Sequence, residues 1–161
     1  HLDVDALLAQ RVEHPAVVGH PAKRYRPSGL EVEVSIPPRR YDLAAEILAE
    51  AMDDGSTGRP QETLDGVAAE YGRRVGQSAR EHNGDSGLIT ALRIVGYEAT
   101  NAGEDVVLRN CPFRHVAQVN PEVICRMNVA FVGGVLEGVQ ASSLHAVLSP
   151  SAERCCVVVA P

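Results

Sequence analysis

Apolar and polar positions recur with regular periods along most of this chain. Leu30, Val32, Val34 and Ile36 alternate with Glu31, Glu33 and Ser35. That two-residue period predicts a half-buried strand over Leu30–Ile36, ended by Pro37-Pro38. Tyr41, Ala44, Ala45, Leu48, Ala51 and Met52 recur at helical spacing and predict an amphipathic helix. Residues 55–58 read as a loop. Pro60 opens a second helix, with Leu64, Val67, Ala68, Tyr71 and Val75 on its buried stripe. After the turn-forming Asn83-Gly84-Asp85, Leu88, Leu92 and Val95 mark a third helix that stops at Gly96.

The second half repeats these signals. Asn101 to Glu104 reads as a turn, and Val106-Val107-Leu108 as a strand that leads into Cys111. Asn120-Pro121-Glu122 combines a cap residue, a proline at the first helical position and an acid in the first turn. The helix it opens reaches about Val139, with Val123, Ile124, Met127, Phe131 and Val135 inward. Gly133-Gly134 within it costs roughly 1 kcal/mol each against Ala, which suits close packing on another backbone or a ligand. Ser143–Leu148 and Cys155–Ala160 read as two strands around a turn at Pro150, antiparallel because the connection is short. The expected fold class is α+β, a small mainly antiparallel sheet covered by helices. The 41–52 and 60–80 helices are free to form a dimer surface.

Composition narrows the function more than the fold. A length of 161 residues suits one sizeable domain and a fragment of a second. Apolar residues make up 45% of the chain, with two Phe and no Trp, so Val, Ala and Leu must fill the core. A net charge of −6 argues against a chain that coats nucleic acid with its whole surface, but not against a local basic segment. No apolar run approaches membrane-spanning length and no signal-peptide pattern opens the chain, which leads us to expect a cytoplasmic protein. There is no phosphate-binding glycine loop, nucleophile elbow or His-Glu-x-x-His pattern, so an enzyme is not expected.

The basic segment lies near the start. Val17 to Pro27 mixes extended, turn-forming and basic residues as a β-wing does, and Lys23, Arg24 and Arg26 are close enough to meet phosphates on one duplex face. A solvated basic loop accounts for the same residues. Gly19-His20-Pro21-Ala22-Lys23-Arg24-Tyr25-Arg26 resembles the wing of bacterial winged helix-turn-helix (ArsR-like) repressors, which often read Gly-Arg-Pro-x-Lys-x-Tyr. His20 stands where the arginine often stands. The resemblance implies that residues 1–28 are the C-terminal part of a winged-helix domain, with residues 1–10 the end of the recognition-helix region and the front of that domain absent from this sequence. Residues 29–161 would form a sensor and dimerisation domain, and the partners would be double-stranded DNA and a second copy of the chain.

All four cysteines lie in the last third: Cys111, Cys125, and the adjacent Cys155 and Cys156. Thirteen residues separate the first two and twenty-nine separate Cys125 from Cys155, with no Cys-x-x-Cys pair. Thiolates bind zinc, copper(I) and iron–sulfur clusters, yet free cysteine also packs as a small hydrophobe, so both readings stay open. Strand alternation lets only one of Cys155 and Cys156 face a shared site comfortably. His115, four residues after Cys111, is a candidate additional ligand, and His145 lies on the strand before Cys155.

The run from Leu108 to Val159 is similar to the sensor domain of the Suf-type repressors that control iron–sulfur cluster biogenesis. Those proteins place cysteines in a Cys-Pro-aromatic turn, after a helix start of the Pro-x-Val type, and at the opening of a last hydrophobic strand. Cys111, Cys125 and Cys155 match these places in order. Cys156 stands at a commonly non-cysteine position. The region also resembles 4-vinyl-reductase-type ligand-binding domains. The resemblance implies a regulator that senses an iron–sulfur cluster or zinc through Cys111, Cys125 and Cys155. The alternative is a binding module whose Gly133-Gly134 helix and valine-rich strands line an apolar effector pocket, with cysteines that merely pack.

Overall fold

The computed structural model describes residues 9–12, 24–27, 35–53, 60–83, 87–151 and 154–161. The chain clusters into two compact units, His1–Ser35 and Ile36–Pro161. In the first, β1 (Ala9–Val12) pairs antiparallel with β2 (Arg24–Pro27), Val12 opposite Arg24 and Ala9 opposite Pro27. Ala9 and Gln10 are therefore extended where the end of a helix was expected. Most of the strand expected over Leu30–Ile36 lies outside the described residues. Its last two residues, Ser35 and Ile36, are not in a strand, and Ile36 is exposed.

The second unit is α+β. Among its described residues it holds five helices and an open four-stranded antiparallel sheet. In chain order these are α1 (Tyr41–Asp53), α2 (Pro60–Asn83), α3 (Gly87–Ile94), β3 (Ala99–Ala102), β4 (Asp105–Leu108), α4 (Arg114–Val119), α5 (Pro121–Val139), β5 (His145–Leu148) and β6 (Val157–Ala160). The strands lie in the order β3-β4-β6-β5. The last strand in sequence thus sits in the interior of the sheet, with Val159 opposite Val106 on one side and Ala146 on the other. Val157, Val158 and Val159 are all buried, as an interior strand covered by helices requires.

Two elements were not foreseen. Asn101 and Ala102 belong to β3, which closes a tight hairpin onto β4 through Gly103 at φ 71°. Its burial is confined to Ala99, so no alternation announces it. The six-residue α4 has no buried residue and no side-chain cap, which leaves little for periodicity to detect. Elsewhere the helices stand where expected, with shifted faces. On α1 the buried residues are Leu43, Ala44 and Ile47, while Leu48 and Met52 are exposed. On α5 Val123 is exposed, and Asn120 precedes the helix without making a side-chain cap bond.

The tightest contact is between α2 and α5. Ala69 lies against Gly134 and Arg73 against Gly138, so the two helices run parallel. A methyl group on Gly72 would overlap the Phe131 carbonyl oxygen, and one on Gly76 that of Val135. Methyls on Gly134 and Gly138 would overlap the carbonyls of Ala69 and Arg73. Both helices thus carry small residues four apart, which brings backbones closer than the usual 8–10 Å between axes. Arg73–Glu137 at 2.7 Å and Arg126–Asp65 at 3.2 Å flank this seam. On the inner face of α5, Phe131 meets Phe113 edge to face at 6.3 Å, and Met127, Val132 and Val135 complete the core with Leu92, Leu108 and Val157.

Candidate functional site

Backbone hydrogen bonding explains why cysteines from three separate segments meet. Beyond the last paired residues of β4 and β6, the Cys155 N–H donates to the Leu108 carbonyl at 2.8 Å. That bond carries the ladder past the start of β6 and sets Cys155 beside the chain that leaves β4 toward Cys111. On the other side, the Ser149 N–H donates to the Cys156 carbonyl at 2.6 Å. Cys155 and Cys156 lie just ahead of the first residue of β6. Both residues line one cavity, and the expectation that only one could do so fails.

The Cys111 turn is held from below by Asn110. Its buried amide donates to the Gly96 carbonyl at 2.6 Å and the Pro38 carbonyl at 3.1 Å, and accepts from the Arg39 guanidinium. Arg39 also donates to the Cys111 carbonyl at 2.9 Å. Cys125 comes from the second turn of α5 and is half-buried. A cavity of about 450 Å³ opens between these segments, lined by Cys111, Cys125, Cys155 and Cys156 together with Arg114, Gln118 and Arg154. Arg154 is itself fixed, donating to the carbonyls of Ser149 at 2.9 Å and Cys155 at 3.1 Å.

The thiols contact one another in series. Interactions of Cys155 with Cys111 and Cys156, and of Cys156 with Cys125, shift the ionisation of the three strand-end thiols. These interactions hold Cys155 well below the usual thiol range, against the opposing effect of burial, with further help from the Val157 N–H and Asn128. Cys111 is pushed up by its interaction with Cys155 and then by burial, and Cys156 by the same causes in the same order. The ionisation of each thiol thus depends on its neighbours at this corner. Behind it, the buried Asn128 amide donates to the Cys155 sulfur at 3.2 Å and accepts from the Tyr97 hydroxyl. Asn128 was not singled out in the sequence. An asparagine on the inward, heptad-spaced face that carries Met127, Phe131 and Val135 was the available signal.

The remaining expected site residues fall elsewhere. His115 is exposed and does not line the cavity, and His145 lies on β5 beside a different cleft. Lys23 lies outside the described residues, and Arg24 and Arg26 fall two apart on β2. Gly134 serves the α2 contact rather than a ligand pocket. All four cysteines are free thiols, and among the described residues no group of three or more His, Cys, Asp or Glu converges on one point as a ready metal cage.

Sulfurs dominate the lining of the cavity without forming such a cage. The lining offers four sulfurs and no carboxylate or imidazole, which disfavours calcium and magnesium and favours zinc, copper(I) or iron–sulfur ligation. Arg114 and Arg154 would offset the negative charge of several thiolates. Among the described residues, no helix is long and apolar enough to cross a membrane. No protein-family model, curated protein or solved structure matches the chain.

Proposed function

We propose that the chain is a DNA-binding transcriptional regulator whose second unit senses a thiophilic centre, an iron–sulfur cluster or zinc, held by Cys111, Cys125 and Cys155 with Cys156 as a fourth sulfur. The observation that carries this reading is the meeting of all four cysteines on one cavity. Inert cysteines have no reason to converge, since each would pack equally well at separate places in the core. Sulfurs in series around about 450 Å³ suit a cluster of several atoms better than a single zinc ion, which gathers four sulfurs about one point. When bound, such a centre supplies a charge that responds to oxygen or metal supply.

The chain's own residues supply the transmission. Cys125 sits on α5, and α5 is locked to α2 by glycine contacts that leave no slack. A shift of α5 at Cys125 therefore moves α2 as well. Exposed Leu48, Met52 and Val123 line a cleft with Leu64, which supports this face as the contact between two copies. Lys23, Arg24 and Arg26 provide phosphate affinity that does not depend on sequence. The β1–β2 hairpin supports the wing reading.

The test is iron, labile-sulfide and zinc content, with a visible spectrum, on protein purified without oxygen. Iron with sulfide and a broad visible band, lost in Cys125→Ser, is the expected result. Stoichiometric zinc would make the centre a zinc sensor. Absence of any metal from protein made in iron- and zinc-supplied cells would overturn the reading and leave an organic effector as the signal.

A further inference from the structure

We infer that Asn128, oriented by Tyr97, is a positioning residue that tunes the affinity and electron density of the centre bound at Cys155. The inference rests on the cysteine-ligated reading above. Asn128 is 1% exposed, on the inward face of α5 among Met127, Phe131 and Val132. A leucine there would pack with no polar atom to satisfy, so the amide is costly unless both of its ends are used. Both are used. Tyr97, 2% exposed, has a phenolic hydroxyl that donates to the Asn128 side-chain oxygen. That bond fixes which end of the amide faces the cavity, and the Asn128 N–H then donates to the Cys155 sulfur at 3.2 Å.

The consequence follows from the chemistry of thiolate ligands. An N–H donated to a ligating sulfur draws electron density from it and fixes the lone pairs left for the metal. A cluster held this way is easier to reduce than one without the bond. An amide has no proton to lose in the physiological range, so this donor persists whatever the state of the neighbouring thiols. Tyr97 acts one step further back, by preventing the amide from rotating. Neither residue lines the cavity.

The experiment titrates the reduced, metal-free full chain with Co²⁺ and follows the sulfur-to-cobalt charge-transfer and ligand-field bands. It compares the wild type with Asn128→Leu, which removes the donor, and Tyr97→Phe, which keeps the amide but frees it. We expect Asn128→Leu to bind Co²⁺ about 10–100-fold more weakly. Its charge-transfer band should move to longer wavelength, because the sulfur becomes a stronger electron donor. Tyr97→Phe should shift both readouts in the same direction by less. A general loss of packing would weaken binding without moving the band. If Asn128→Leu does not fold, as judged by far-ultraviolet circular dichroism, Tyr97→Phe decides alone. Wild-type binding with neither affinity nor band altered in the folded variants would overturn the inference and leave the proposed function standing. Failure of the wild type to bind Co²⁺ through sulfur would overturn both.

Discussion

The two ends of α5 are built on opposite principles. Along Gly134 and Gly138 the helix meets α2 backbone to backbone, with no room for a single methyl group. Around Cys125 it borders a cavity with space to spare, and polar groups, with Asn128 buried behind Cys155, decide the geometry. The glycine seam gains its contact by omitting side chains. The cysteine corner is assembled from side chains that three segments bring together. The first arrangement tolerates no change of volume, whereas the second tolerates changes of volume better than changes of hydrogen bonding. The proposed sensing role requires both, since a signal at a yielding corner is lost unless it acts on something stiff.

The sharpest way to break the contrast is to fill the seam. Gly134→Leu places a branched side chain on the Ala69 carbonyl, and we expect a loss of at least about 3 kcal/mol or failure to fold, seen in thermal unfolding. Gly133→Ala, one residue away with open space at its Cβ, is the control and should be neutral or slightly stabilising. Next in size is Asn110→Ala, which leaves the Gly96 and Pro38 carbonyls and Arg39 without their partner. A cost of about 1–3 kcal/mol in urea unfolding is expected, with the Cys111 turn loosened. At the corner itself, Cys125→Ser should change the stability of the metal-free protein by less than about 1 kcal/mol while removing metal uptake. A large stability loss there would mean that Cys125 serves the core rather than a ligand.

The smallest expected effect is a dependence on pH in the reduced, metal-free protein. Cys155 is depressed when folded, so below the ordinary thiol range of about 8.5 the unfolded chain binds a proton there that the folded chain does not. Stability therefore rises with pH in that window and is lost as pH falls through the folded Cys155 value. Above about 8.5 the unfolded chain releases protons that folded Cys111 and Cys156 retain, and stability falls. Urea midpoints across pH should trace this maximum, and Cys155→Ala should remove the rising limb.

Much of the fold was legible because α1, α2, α3 and α5 are long enough to show a period. The faces of α1 were misjudged because alanine reads equally well on either side, so Leu43 and Ile47 were passed over for Leu48 and Met52. Strand β3 and helix α4 were missed because each is short and mostly exposed. The grouping of Cys111, Cys125 and Cys155 came from a family resemblance, since their spacing alone left the readings open. Cys156 was set aside on strand alternation, yet it lines the same cavity as Cys155. The glycines of α2 gave no warning either, since their use depends on a partner helix nearly sixty residues later.

The place of β6 inside the sheet has a mechanical consequence. Cys155 and Cys156 are attached to a strand that is bonded on both sides, Cys111 leaves the neighbouring strand, and Cys125 rides on a helix pinned by glycine. A pull on any sulfur is therefore borne by a stiff member. Arg154 adds to that bracing, donating to the Ser149 carbonyl and to its hydroxyl oxygen.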